Sequence, residues 1–269
     1  MSMEAQRLMT VSELVVVFKN LGLTSGDTVM VHSSLSGLGY LPNGPYDVID
    51  ALINVVGSSG NIVVPTHTGQ LTDPDQWSDP PVPKEWVERI RESMLVFDKR
   101  KTMPRGRGRL PEYFLRYENV KRSAHPLNSV AAIGPLADFL TENHQFQEPE
   151  GKRSPMHRLD NNRGKILLLG VGMEKCTAFH LAEYLVDCDY LKHNQTRVLC
   201  RTEHGGKAYV RLDKYPSISS GFEKLRDSLR DKGYLHEKYI DDYRTTLISL
   251  KPAVDLLIER LTIDPKAAH

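Results

Sequence analysis

The sequence has almost no excess of charge of either sign. Its 269 residues include 35 lysines and arginines and 34 aspartates and glutamates, so the formal net charge is +1. A protein whose main task is to hold a nucleic-acid backbone needs a basic surplus on one face. The composition therefore argues against a nucleic-acid partner, and any charged ligand must be met by a local cluster of side chains.

Cysteine is scarce, and the three that occur (Cys176, Cys188 and Cys200) form no CxxC pair. A disulfide framework and a zinc ribbon both need paired cysteines at short spacing, so the sequence excludes both. The cysteine content instead favours a reducing, cytoplasmic location and a protein without a metal.

Long hydrophobic runs are also missing. The N-terminal region has an apolar run of only five residues, 14–18, and later runs such as 166–169 are no longer than a strand. A secretory signal needs roughly 7–15 apolar residues, and a membrane-spanning helix needs about 20. We therefore expect no leader peptide and no membrane partner. The length of the chain allows one large domain or two small ones.

Strand and helix patterns alternate along the first two thirds of the chain. Buried strands are predicted at residues 28–32, 61–65, 130–133 and 165–171. One helix is predicted to start at residues 10–13 and to stop at Gly22, and another is predicted at residues 45–56. Strands that read as continuous apolar runs and alternate with helices are typical of an α/β protein with parallel strands.

Further elements are predicted toward the C-terminus. Residues 177–186 are predicted to form a helix, and residues 197–212 a hairpin that turns at Gly205 and Gly206. Residues 222–263 show helical patterns with a break at Gly233. We expect a layered α/β/α fold around a mixed, largely parallel sheet, with an added β-hairpin and C-terminal helices.

Two adjacent segments carry opposite charge. Residues 71–98 contain seven acidic and three basic side chains, and residues 99–110 contain six basic side chains and no acidic one. One interpretation is that they form the two lips of a cleft, one for a cationic ligand and one for an anionic ligand. The alternatives are solvated surface or mutual neutralisation of the two segments.

Thr177, His180 and Glu183 are spaced so that a helix brings them to one face. A histidine beside a carboxylate suits a general base, because the carboxylate fixes the tautomer and stabilises the imidazolium. The alternative is a structural histidine, with Glu183 in a surface ion pair. Zinc is not indicated, since the spacing is HxxE rather than HExxH.

A loop of small residues, 32–39, follows the first predicted strand. Backbone N–H groups and hydroxyls in such a loop can bind phosphate, although neither a P-loop nor a GxGxxG motif is present. The alternative is a tight turn between a strand and a helix.

Other candidate groups have less support. The small residues from Ser129 to Gly134 would allow a ligand close to the backbone, or would simply pack in the core. No GxSxG elbow marks a nucleophilic serine. Cys176 is adjacent to Thr177, and it is predicted to be a small buried residue rather than a nucleophile.

Taken in order, several segments resemble the aminoglycoside 3-N-acetyltransferases, the antibiotic N-acetyltransferase family. The similarity extends over most of the chain and weakens after about residue 200. The matching segments are MVHSSLSGLG at 30–39, VIDALINVVGSSGNIVVPTHTGQLTDPDQWSDPPVP at 48–83, FDKRKTMPRGRG at 97–108, RSAHPLNSVAAIG at 122–134, SPMHRL at 154–159 and KILLLGVGMEKCTAFHLAEY at 165–184.

The resemblance implies a transferase that moves an acetyl group from acetyl-CoA to an amine. It also implies a single domain over residues 1–269, with a family-specific fold distinct from that of the GNAT acetyltransferases. It implies direct attack without an acetyl-enzyme, with His180 as the base, Glu183 as its orienting partner and Thr177 as a donor to the oxyanion. It also implies a set of cofactor contacts, which are His32, Ser33, Ser34, Leu35, Ser36, Thr66, Arg105, Ser129 and Ala131.

The acceptor that the resemblance implies is an aminoglycoside, which is a polycation, and the implied role is antibiotic resistance. The acidic segment then becomes the candidate acceptor lip. Its candidate residues are Asp73, Asp75, Trp77, Asp79, Glu85 and Asp98. We expect either a monomer or a homodimer.

Three positions depart from the family pattern. Ile133 stands where an aromatic residue is common, Arg107 where a small or apolar residue is common, and Met156-His157 where Leu-Gly or Phe-Gly is usual. Because these positions are expected near the cleft, the acceptor can differ from the familiar antibiotics. Two alternatives therefore stay open: acylation of a different amine, and a CoA-binding protein without catalytic activity.

Overall fold

The structure is a computed structural model that describes residues 7–186, 194–214 and 218–267; Cys188 lies outside these ranges. The helices in them are α1 (Val11–Leu21), α2 (Pro45–Val56), α3 (Val87–Ser93), α4 (Leu110–Phe114), α5 (Ala137–Thr141), α6 (Pro155–Asn161), α7 (Leu181–Val186), α8 (Arg226–Asp231) and α9 (Leu250–Ile263). The strands are β1 (Thr28–Ser33), β2 (Asn61–Pro65), β3 (Lys121–Arg122), β4 (Val130–Ile133), β5 (Lys165–Leu169), β6 (Asn194–Arg201), β7 (Lys207–Lys214), β8 (Leu235–Ile240) and β9 (Tyr243–Ser249).

Seven strands form one mixed sheet in the order β3-β4-β2-β1-β5-β9-β8. The central strand β1 runs parallel to β2 and β5. The outer pairings, β2 with β4, β4 with β3, β5 with β9 and β9 with β8, are antiparallel. The predicted fold class is confirmed, although parallel pairing is limited to the three central strands, which is less than expected.

Helices cover both faces of this sheet. On one face, Val29, Ile62 and Leu167 pack against apolar side chains of α1, α2 and α4. On the other face, Met30 and Ile166 pack against α5 to α9. Successive residues of a strand point to opposite faces, so a strand buried on both faces has to be apolar throughout. The result is the layered α/β/α arrangement that the apolar runs predicted.

Local signals fix the ends of the first two helices. Thr10 and Glu13 form a capping box at the start of α1, and Gly22 ends that helix with a left-handed φ of 108°. Pro45 occupies the first turn of α2, where its missing N–H removes no helical hydrogen bond. These helices and strands β2 and β4 have the predicted bounds.

The segment from 222 to 263 differs from expectation. The predicted run of helices contains the hairpin β8–β9, and β9 pairs with β5 to extend the main sheet. Strand β8 is an edge strand whose exposed residues are His236, Lys238 and Tyr239, so its sequence lacks the apolar run that marked the inner strands. The predicted hairpin around Gly205 and Gly206 is confirmed as β6–β7.

The parallel strands β1, β2 and β5 end at the same edge of the sheet. Gly170, just after β5, has a φ of +64°, and a Cβ there would lie 2.3 Å from the ring of Tyr243. The Tyr243 hydroxyl donates to the backbone oxygen of Ser34 at 2.8 Å. Strand β9 therefore supports the loop that follows β1. Within the described ranges, no helix has the length and hydropathy needed to cross a membrane.

Candidate active site

A first cleft of about 600 Å³ opens where β1, β2 and β5 end. All five residues predicted for the cofactor loop line it: His32, Ser33, Ser34, Leu35 and Ser36. The first residue of α2, Pro45, and the turn 106–111 also line it. Ligands of open α/β sheets bind at this edge, and the N-terminus of a helix favours anions.

A second cleft of about 480 Å³ adjoins the first. His180 and Thr177 line it, and so does Arg105, which the sequence assigned to the cofactor. Gly106, Arg107 and Lys175 line both clefts. The two clefts therefore meet at these shared residues, which leaves room for two ligands whose ends come together.

His180 and Glu183 form a hydrogen-bonded pair in the second cleft. Nδ1 of His180 lies 2.9 Å from Oε2 of Glu183, and the Glu183 side chain is buried. A carboxylate can only accept, so Nδ1 carries the proton and Nε2 keeps its lone pair. His180 ends a 3-10 turn, Thr177–His180, and Glu183 belongs to α7, so the predicted helix is two elements. The pairing survives this change because neighbours three residues apart stay close.

Three of the predicted cofactor residues lie beneath the site rather than in it. Thr66 and Ser129 are fully buried and bonded to each other, with their hydroxyl oxygens 3.0 Å apart. Arg122 donates from Nε to both of these oxygens. Ala131 packs in the core on the face of α1 and α2. Among the described residues, the lining of either cleft does not include these three.

Arg122 connects this buried network to the basic segment. Its other nitrogens donate to backbone oxygens of Thr66, Lys99 and Thr102, and its guanidinium stacks over the ring of Phe97. Burial lowers the pKa of Arg122 to about 10. Because its hydrogen bonds reach Lys99 and Thr102 on one side and Thr66 and Ser129 on the other, Arg122 fixes the chain at 99–102 to the ends of β2 and β4.

The candidate acceptor lip does not form around His180. Asp73 is fully buried and pairs with Arg91 and Arg197 at 2.7 and 2.9 Å, so its carboxylate is already used within the protein. Asp98 accepts from the backbone of Arg100 and Lys101, and these hydrogen bonds lower the pKa of Asp98. The remaining candidates lie on the surface segment 75–85, outside the described lining of both clefts: Asp75, Trp77, Asp79 and Glu85.

Glu150 is an acidic residue of the second cleft that the sequence did not single out. It is buried, and it accepts from Nδ2 of Asn128 at 2.6 Å. The turn that holds Asn128 depends on His125, whose Nδ1 accepts from the backbone N–H groups of Leu127 and Asn128. The HPLN sequence marks this turn, but no local pattern marks Glu150, because it reaches the cleft from a separate loop.

Cysteine chemistry is not supported at this site. Cys176 is buried, and burial raises the pKa of its thiol to about 12. The reactive thiolate is therefore nearly absent at neutral pH. Within the described ranges, His, Cys, Asp and Glu form no cluster of three that could hold a metal ion.

Comparison with known proteins matches this chain to a family model, to relatives of similar sequence and to solved structures. A family model described as aminoglycoside 3-N-acetyltransferase matches residues 30–262. The SPbeta prophage-derived aminoglycoside N(3')-acetyltransferase-like protein YokD of Bacillus subtilis (strain 168) is 35% identical over 238 residues, which are 88% of this chain and 86% of that protein. The crystal structure of YokD superposes with a TM-score of 0.85 and 33% identity, covering 95% of this chain and 99% of the other.

Two further solved structures contain ligands. AAC-IIIb in a binary complex with CoASH has a TM-score of 0.81 at 26% identity, with 96% of this chain and 97% of the other covered. AAC-VIa bound to sisomicin has a TM-score of 0.80 at 28% identity, with 96% and 98% covered.

The fold, the paired clefts and these comparisons together define an acetyl-CoA-dependent acyltransferase. More narrowly, the chain belongs to the aminoglycoside 3-N-acetyltransferase family. The resemblance drawn from the sequence motifs is thus confirmed, as is the predicted enzyme class.

Proposed function

We propose that this protein transfers the acetyl group of acetyl-CoA directly to an amino group of an aminoglycoside, at the 3-amino position by family resemblance, with His180 as the general base. The observation that carries the proposal is the 2.9 Å pair of His180 and Glu183 in the second cleft, which joins the first cleft of about 600 Å³. A base beside this junction can act on an amine that approaches an acyl group held in the neighbouring cleft.

The first cleft suits coenzyme A. The N-terminus of α2 and the cations Arg109 and Lys175 can meet its phosphates, and the loop 32–36 can hold the pantetheine arm. Thr66, Ser129 and Arg122 then serve by fixing the chain around this cleft rather than by touching the cofactor.

The second cleft suits the amine. Nε2 of His180 takes the proton as the amine nitrogen attacks the thioester carbon, and Glu183 stabilises the imidazolium that results. The carbon–sulfur bond then breaks, and the electron pair leaves with the CoA sulfur. Glu150 supplies a buried carboxylate for a second ammonium group of the acceptor.

A second candidate is acetylation of an amine that is not an antibiotic. The described lining of the second cleft contains four basic side chains (Arg105, Arg107, Lys175 and Lys214) and two acidic ones, Glu150 and Glu174. A polycation is better met by an acidic surplus, so this lining favours an acceptor with fewer positive charges.

Release of free thiol from acetyl-CoA tests both candidates. The assay is run with no acceptor, with a panel of aminoglycosides that includes sisomicin, and with simple monoamines and amino sugars. Turnover with aminoglycosides supports the first candidate, and turnover only with other amines supports the second. Tight binding of CoA without turnover on any amine would contradict both and would leave a non-catalytic CoA-binding protein.

A further inference from the structure

Arg107 occupies the junction of the two clefts. It lines both of them, and it stands between Gly106 and Gly108, whose left-handed φ values of 71° and 72° turn the chain sharply on each side. The turn is fixed to the end of β2, because the backbone N–H of Arg105 donates to the backbone oxygen of His67 at 2.9 Å. This geometry brings one guanidinium to the point where the ends of the two ligands would meet.

His67 pairs with this guanidinium. A terminal nitrogen of Arg107 lies 2.5 Å from Nδ1 of His67. Arginine can only donate, so Nδ1 of His67 is an acceptor and the ring proton is on Nε2. Burial, together with the positive charge of Arg107, holds the pKa of His67 well below its ordinary value of 6.5, which keeps the imidazole neutral.

The Nε2–H of His67 has no hydrogen-bond partner among the described residues. His67 is only 6% exposed, and it lines the second cleft. A buried donor without an acceptor is unfavourable, and in a native protein a catalytic role is one of the recognised reasons for keeping one. The Arg107–His67 pair therefore offers N–H donors of fixed orientation beside the junction.

We propose that Arg107 and Nε2–H of His67 bind the carbonyl oxygen of the acetyl thioester and stabilise the negative charge that develops on it. This inference rests on the proposed function, since it places the acetyl group at the junction. As the amine nitrogen bonds to the carbonyl carbon, the π pair moves to this oxygen. When the pair returns, the carbon–sulfur bond breaks, CoA leaves as the thiolate and the amine proton resides on His180. Donors fixed before the reaction favour this charged state most.

The bound thioester itself provides the test. Isotope-edited infrared spectra of acetyl-CoA labelled with ¹³C at the carbonyl are recorded free and on the wild-type protein, without an amine. We expect the carbonyl band to move to lower wavenumber on binding, and the shift to be lost in Arg107→Met and His67→Phe. His67→Gln keeps both an acceptor and a donor, so it should retain part of the shift. Arg109→Met is the matched control: it should weaken acetyl-CoA binding and leave the shift intact at saturation.

Kinetics supply an independent readout. With the best acceptor from the panel, loss of either donor should lower kcat by about 10²–10³-fold and change the KM for acetyl-CoA little. The proposal would be overturned if the carbonyl band of acetyl-CoA bound to Arg107→Met and to His67→Phe lay at the same wavenumber as on the wild-type protein. A raised KM for acetyl-CoA with kcat intact would also overturn it, because Arg107 would then serve the phosphates, and a raised KM for the amine alone would assign Arg107 to the acceptor.

The outcomes separate this inference from the proposed function. A shifted band without turnover on any amine would support the donor pair and contradict the proposed acceptor chemistry. Bound acetyl-CoA with an unshifted carbonyl band would contradict the donor pair alone. A wild-type protein that binds no acetyl-CoA would overturn both.

Discussion

The buried carboxylate of Glu183 has one hydrogen-bonded partner in the structure, Nδ1 of His180, and its second oxygen has none among the described residues. A charged group in such surroundings is expected to act through the partner it touches. The pair should therefore behave as a unit, with the imidazole acting on the amine and the carboxylate acting on the imidazole.

Replacement of His180 by alanine should lower kcat by about 10²–10⁴-fold, the range that general-base help supplies. The KM for acetyl-CoA should stay near the wild-type value, because the lost group acts in the transition state. Steady-state thiol release measures both constants. The double variant His180→Ala/Glu183→Gln should be no slower than His180→Ala, since Glu183 has no imidazole left to support. Independent, additive losses would contradict the pairing.

Glu150 gives a prediction about the acceptor rather than about the cofactor. Glu150→Gln keeps the size of the side chain and the oxygen that accepts from Asn128, but it removes the charge. A hydrogen bond to a charged group contributes about 1.5–3 kcal/mol, so the KM for a polyamine acceptor should rise by about tenfold or more. The KM for acetyl-CoA should not change. If both constants move together, Glu150 acts on the shape of the site and not on the amine.

At the scale of elements, the sequence predicts well wherever the signal is local. The capping box sets the start of α1, Pro45 and Gly57 bound α2, and continuous apolar runs mark the inner strands. The hairpin β8–β9 was missed because an edge strand has one open side and tolerates charge. Its exposed residues then resemble those of a surface helix.

The site residues also divide into those with a local sequence signal and those without one. The pair of His180 and Glu183 could be found because its spacing is three residues. The pairing of Arg107 with His67 joins residues 40 positions apart, and Glu150 reaches the cleft from a separate loop. Such contacts depend on how the sheet brings loops together, so they cannot be predicted from spacing along the chain.

Arg122 on β3 gives a prediction at this scale, because it holds together three elements. Arg122→Met would remove the side-chain donor of the backbone oxygens of Lys99 and Thr102, and one of the two side-chain donors of the Thr66 oxygen, which keeps the Ser129 hydroxyl. The free energy of unfolding should fall by at least about 2 kcal/mol, as measured by urea denaturation. The KM for acetyl-CoA should rise as well, since the basic segment 99–110 loses the hydrogen bonds that fix it to the sheet.

Arg116→Met is the matched control for this change. Arg116 is exposed and stacks over the ring of Tyr113, a contact that contributes less than about 1 kcal/mol. Equal losses of stability in the two variants would show that the buried network at Arg122 has no special role.

At the scale of the whole molecule, the near-neutral chain holds several histidines in the uncharged form. Burial lowers the pKa of His32 to about 3, with the charge of Arg107 adding to the effect, and burial lowers that of His125 to about 4. His125 has a further reason to stay neutral, since protonation of Nδ1 would break its bonds to the N–H groups of Leu127 and Asn128. On acidification, the folded state is therefore destabilised by proton uptake at these histidines before most carboxylates are protonated.

The sign of the resulting pH dependence follows from linkage. Between pH 4 and 6.5, the unfolded chain binds a proton at His125 that the folded chain does not. The free energy of unfolding therefore rises with pH across this window and falls again on acidification. His125 alone can contribute a slope of up to about 1.4 kcal/mol per pH unit. Urea denaturation of His125→Gln over this range should give a lower stability at pH 7 and a shallower slope, whereas His236→Gln, exposed on β8, should keep the wild-type slope. A wild-type stability that is flat from pH 6.5 to 4 would mean that these rings accept protons in the folded state, and the turn that presents Asn128 to Glu150 would then have to tolerate a charged imidazole.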